Sequence, residues 1–113
     1  MSEFTLLFRG RDGSASPDQM QKTTQKWIAW LKELNEKGHV KFPGNPLEDT
    51  GKVVNGKQKT VHDGPYAEAK DVVCGYMLVE ARDIAHAVEL SKACPILEVG
   101  GSVEVRPVLK LSM

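Results

Sequence analysis

An excess of charge of either sign is missing from this chain: fifteen Lys and Arg stand against fifteen Asp and Glu over 113 residues. No global basic field exists to gather phosphates, so nucleic acid is not an expected partner. Cysteine is scarce. Cys74 and Cys94 stand alone, with no CxxC or Cys/His spacing of a metal motif. They read as two buried thiols of a reducing compartment. His39, His62 and His86 are scattered and lack carboxylates at fitting spacing, so no metal site is expected, and no cofactor. Long apolar runs are missing too. No stretch approaches the roughly 20 residues of a membrane span. The start, "MSEFTLLFRGRDGS", lacks the basic segment and the apolar length of a signal peptide. The expected location is the cytoplasm, without membrane partners.

What is present is ordinary: 41% apolar and 27% charged residues, against disorder and against a coiled-coil rod. The length suits one domain over residues 1–113. "EFTLLFRG" reads as a strand, with Phe4, Leu6 and Phe8 on one face and Thr5, Leu7 and Arg9 on the other. Ser16, Pro17 and Gln19 predict a helix start through an N-cap, a first-turn proline and a capping box. Met20, Trp27, Leu31 and Leu34 form the apolar stripe, flanked by Ile28 and Trp30, and Gly38 closes the helix. A strand follows near "HVKF". Asn55-Gly56 predicts a hairpin with a two-residue type I′ turn, its second arm ending at His62-Asp63-Gly64-Pro65. "VVCGYMLVEA" is a strand in which Tyr76, Leu78 and Glu80 alternate with Gly75, Met77 and Val79. Asp83 caps a second helix, "IAHAVELSKAC", with Ile84, Ala87, Val88 and Cys94 inward and Pro95 as its stop. "SVEVRPVLKLS" is the last strand, with Val103, Val105, Leu109 and Leu111 on one face and Glu104 and Arg106 on the other.

The order β-α-β-hairpin-β-α-β predicts an α+β, ferredoxin-like sandwich: an antiparallel sheet with two helices on one face. A sheet with a wet second face alternates cleanly. These strands do not, since Leu7 opposes Phe4, Leu6 and Phe8, and Tyr76 and Leu78 oppose Met77 and Val79. The expected cover is a second copy of the chain in a two-fold dimer, with a pocket between the sheets.

Six residues stand out as candidate ligand contacts: Asp63, Tyr66, Glu68, Tyr76, Glu104 and Arg106. Asp63 beside Gly-Pro serves either as a turn-capping carboxylate or as an acceptor or base at a pocket mouth. A histidine beside a carboxylate is a common acid–base pairing, but neighbours in an extended strand point to opposite faces. His62 and Asp63, the two catalytic candidates, are therefore expected to diverge unless the chain turns sharply at Asp63. Glu104 and Arg106 face the space between the sheets. A buried Arg106 there needs a carboxylate, from Asp63 or Glu68 of either subunit, or an anionic small molecule. Tyr66 and Tyr76 line the same space or serve as core aromatics.

The run Asp63-Gly64-Pro65-Tyr66-Ala67-Glu68-Ala69-Lys70-Asp71, then Gly75-Tyr76 and Glu104-Val105-Arg106-Pro107, resembles the DGPF-domain branch of the YCII-related family. Pro17, Trp27 and the stretch from Gly44 to Leu47 fit as well. Tyr66 in place of Phe and Asp71 in place of Glu are mild departures. The resemblance implies a dimeric α+β barrel and a function largely unassigned. The broader family carries a His–Asp pair, with the His in the first helix and the Asp before a proline. Here that helix has no His, and Cys94 precedes Pro95, so the pair is absent. The resemblance thus leaves three readings: a cofactor-free acid–base enzyme or pocket protein, a non-catalytic binding or regulatory module linked to sigma factors of the extracytoplasmic type, and, more distantly, a cofactor-free monooxygenase of the same barrel.

Overall fold

A computed structural model describes residues 1–10, 16–65 and 71–111. In chain order these form β1 (Ser2–Arg9), α1 (Pro17–Glu36), β2 (Val40–Pro46), β3 (Gly51–Asn55), β4 (Thr60–Gly64), β5 (Val73–Ala81), α2 (Ile84–Ser91), a 3-10 helix (Pro95–Val99) and β6 (Ser102–Pro107). Four strands make an antiparallel sheet in the order β2-β5-β1-β6, and β3 and β4 pair separately as a hairpin. This is the ferredoxin-like α+β arrangement: β1 and β2 run parallel with β5 between them, and β6 closes the other edge.

Local chemistry sets the helix starts. Ser16 accepts from the Gln19 amide while the Gln19 side chain accepts from the Ser16 amide, a complete capping box with Pro17 behind it. Asp83 caps α2 by accepting from His86 N–H at 2.8 Å. Gly38, at φ +76°, follows the end of α1 in the left-handed conformation a helix cap needs.

Phe4, Leu6 and Phe8 of β1 and Met77, Val79 and Ala81 of β5 are buried under the helices. Of the expected α1 stripe, Leu34 is buried and Trp27 and Leu31 pack partly buried against the core, while Met20 is exposed; of the flanking residues, Trp30 is buried and Ile28 exposed. The indoles decide this. Trp27 and Trp30 meet Phe8 edge to face, at 4.9 and 6.1 Å between ring centres, and Trp30 Nε1 donates to the Leu90 carbonyl at 3.2 Å. α2 is shorter than expected and buries Ala87 and Ser91, while Ile84 and Val88 lie exposed. Cys94 and Ile96 enter the core from the 3-10 segment instead.

Two further boundaries differ from expectation. The last strand stops at Pro107, opposite Phe4 of β1. Val108 N–H still donates to the Glu3 carbonyl at 3.0 Å, but Leu109 and Leu111 are exposed. The hairpin turn is the loop 56–59, with positive φ at Gly56 and Lys59, in place of a type I′ turn at Asn55-Gly56. The reason lies in the side chains. The longer loop opposes Val54 to Val61 and Lys52 to Asp63, whereas a two-residue turn would set Lys59 against Lys52, a like-charge pair.

Candidate functional site

The sheet face turned away from the helices carries most of the chemistry. Directly opposed residues share a face. Asn45, Tyr76, Leu7 and Glu104 thus form one row, and Phe42, Leu78, Thr5 and Arg106 the next. Adjacent members of a row stand on strands about 5 Å apart. At one end Arg9 lies opposite Val73 and Ser102. At the other, Glu3 opposes Glu80 and the two share Lys41, at 3.5 and 3.9 Å. Leu7, Tyr76 and Leu78 are half-buried and Phe42 is exposed, so the apolar second face expected from the alternation is present.

Glu104 is the electrostatic centre of this face. Arg9 donates to its Oε1 from Nε at 3.3 Å and from Nη2 at 2.9 Å, and Arg106 Nη1 donates to Oε2 at 3.3 Å. Arg9 Nη1 also donates to the Asp71 carbonyl, which ties the segment entering β5 to the sheet. The Arg9 hydrogen bond holds the Glu104 carboxyl below its ordinary range; desolvation opposes this, and Arg106 reinforces it. Glu104 is therefore an anion at neutral pH, an acceptor rather than a proton donor. Arg106 is 65% exposed, and Glu104 engages one of its five N–H donors. In the same row as Glu104, Asn45 Nδ2 donates to Tyr76 Oη at 3.2 Å, and the Tyr76 ring leans on Phe42 of the next row at 6.3 Å. The face thus offers a guanidinium, a phenol and an aliphatic floor, a set suited to a small molecule with an anionic edge and an apolar body.

Of the residues singled out in the sequence, Tyr76, Glu104 and Arg106 share this face. Asp63 does not join them within one subunit: it pairs with Lys52 across the hairpin and is 87% exposed. His62 opposes Val53 while Asp63 opposes Lys52, so their side chains leave the ribbon on opposite sides. Tyr66 and Glu68 lie outside the described residues. Two concavities, both wide open to solvent, flank the hairpin, one reaching His62 and the other Asp63. Arg9 is the residue that sequence reasoning passed over. Its signal was parity alone, since it shares a strand face with Thr5 and Leu7.

Elsewhere the titratable groups are structural. Both cysteines are buried thiols, and burial pushes Cys94 up to about 12, which leaves it inert as a nucleophile. Among the described residues no cluster of His, Cys, Asp and Glu could hold a metal ion. His39 and His86 meet edge to face at 5.0 Å. His39 Nδ1 contacts the Glu80 carbonyl at 2.9 Å, and His86 Nδ1 accepts from Arg82 N–H at 3.1 Å. A proton on His86 Nδ1 would break that bond. Desolvation, then Arg82 and His39, lower the His86 pKa, with Asp83 opposing. The unfolded chain thus binds more protons than the folded one once pH falls below about 6.5. Stability to urea is expected to hold above that pH and to decline as the pH falls below it. In His86→Asn, whose Oδ1 replaces the acceptor, that decline should be reduced; an unchanged slope would exclude His86 as its source.

A search of curated proteins finds no match for the chain. Among solved structures, the chain is similar to 5-chloro-2-hydroxyhydroquinone dehydrochlorinase (TftG) from Burkholderia phenoliruptrix AC1100, determined in complex with 2,5-dihydroxybenzoquinone. The identity is 17%, the TM-score 0.55, and the match covers 97% of this chain and 95% of that one. At that identity the likeness is one of fold. The YCII-related domain, however, matches residues 3–112, nearly the whole chain. An antiparallel ferredoxin-like sheet with a polar constellation on its open face is thus the form taken here by a member of the YCII-related family, to which this chain belongs.

Proposed function

We propose that the chain is a cytoplasmic homodimer of the DGPF branch that binds a small anionic molecule between the open faces of its two sheets. The branch assignment rests on the run from Asp63 to Asp71 and on Glu104-Val105-Arg106-Pro107. The carrying observation is the open face itself, where Leu7, Leu78 and Tyr76 lie beside the Arg9–Glu104–Arg106 chain. Covering that face with a second copy removes its apolar surface from water and encloses the guanidinium of Arg106. Enclosure strengthens a charge-assisted bond from Arg106 to a carboxylate or enolate. Glu104 and Arg9 set its direction, Tyr76 supplies a phenol, and Asp63 lines the mouth. Acid–base chemistry by Asp63 or His62 then requires the hairpin to reach a sheet face. Arg106 already bonded to Glu104 favours a second reading, a non-catalytic dimeric scaffold with no ligand.

A thermal-shift screen separates the two. Small carboxylates and 2,5-dihydroxybenzoquinone, the compound held by the structural neighbour, are expected to raise the Tm of the native protein. Arg106→Gln should lose most of that shift, and Asp63→Asn part of it. No shift with any compound, or equal shifts in native and Arg106→Gln protein, would favour the scaffold.

A further inference from the structure

The β3–β4 hairpin has no ladder with the main sheet. Lone two-stranded hairpins are marginal in water and need a surface to pack on. Its two faces differ. Val53, Asn55, Thr60 and His62 share one, and Lys52, Val54, Val61 and Asp63 the other. On the second, Val54 and Val61 stand directly opposite each other, 66% and 60% exposed. The molecule spans 47 × 45 × 18 Å with a radius of gyration of 15.6 Å. A compact chain of this length has a radius near 13 Å. The smallest dimension is about the depth of one sheet and one helix layer. The hairpin therefore extends within the plane of the slab and does not fold back over its own sheet. It leaves the body at the Arg9 end, after Pro46 beside Gly75 and before Asp71, whose carbonyl Arg9 holds.

Charge points to where it goes. Over residues 51–64 the hairpin carries Lys52, Lys57 and Lys59 against Asp63 alone. At the opposite end of the open sheet face, Glu3 and Glu80 share the single cation Lys41. A two-fold axis lying in the plane of the sheets and across the strands sets the Arg9 end of one copy over the Glu3–Glu80 end of the other.

We propose, building on the dimer inferred above, that the hairpin is an arm exchanged between two copies of this chain. Its Val54–Val61 face docks at the Glu3–Glu80 end of the partner's open sheet and carries Asp63, with Lys52, to the wall of the partner's pocket. The site is then composite: Tyr76, Glu104 and Arg106 come from one copy and Asp63 from the other.

The test uses the full chain. Val54→Asp with Val61→Asp changes side chains that are exposed in the single subunit, so its far-UV circular dichroism should match the native protein. Its dimer dissociation constant, by analytical ultracentrifugation, is expected to rise at least about tenfold, as the loss of two buried valines requires. Independently, a photo-crosslinking amino acid at position 54 in mixed light and heavy-isotope protein should give light–heavy crosslinks near Glu3 and Glu80. A native dimer whose dissociation constant is unchanged in the double variant overturns the arm and leaves the dimer standing. So do crosslinks confined to one subunit or joining arm to arm. A native protein that is monomeric overturns both.

Discussion

Gly44→Ala is expected to destabilise the chain by about 3 kcal/mol, combining a left-handed conformation at a residue with a side chain and a steric overlap. Gly44 sits in β2 at φ +69°, where the strand bulges between Phe42 and Asn45. A Cβ built there falls 1.8 Å from the Tyr76 carbonyl oxygen and 2.7 Å from its carbon. Both are backbone atoms of β5, the strand between β1 and β2, so relief requires β2 to separate from β5. Asn45 would then lose its bond to Tyr76 Oη, loosening the phenol of the proposed site as well as the fold. Urea unfolding followed by the fluorescence of Trp27 and Trp30 measures the loss. Gly51→Ala is the control: it has open space around its Cβ position and no positive φ, and it should cost less than about 1 kcal/mol. A Gly44→Ala midpoint equal to that of the control would refute the close approach of β2 to Tyr76.

The second large effect concerns association. Leu78 lies on the open face between Phe42 and Thr5, two strands from Arg106. In a single subunit it is half-buried, and Leu78→Asp there exchanges a partly wet leucine for a partly wet carboxylate. Between two sheets the same change places a desolvated charge on each side of the two-fold, at several kcal/mol apiece. The variant is expected to remain folded, with the near-UV signal of its tryptophans intact, and to run as a monomer. Loss of the folded signal at the same urea concentration as loss of the dimer would mean that the subunit does not stand alone. A dimer as tight as the native one would place the interface elsewhere.

Much of this fold was legible because it is locally determined. Ser16, Pro17, Gln19 and Asp83 specify helix starts within a few residues of chain. The alternation in β1 and β5 identified the buried face, and the half-apolar character of the other. The discrepancies lie where distant segments decide. β6 ends at Pro107, opposite Phe4 of the distant β1, although its own pattern continues through Leu111. The stripe of α1 is set by where Phe8 receives two indoles. The hairpin register is set by which side chains oppose, and that register gives Asp63 to Lys52.

The candidate site divides in the same way. Placing Glu104 and Arg106 on the open face needed only strand parity. Recognising Arg9 as the partner of Glu104 needed the pairing of β1 with β6, which brings together residues far apart in the chain.

Covering the open sheet face with a second copy is the claim on which pocket, arm and ligand all depend. Sedimentation equilibrium of the native chain at micromolar concentration tests it most directly. The account requires a mass twice the 12.5 kDa of one subunit, falling to a single subunit in Leu78→Asp. A native species of 12.5 kDa across that range would contradict it.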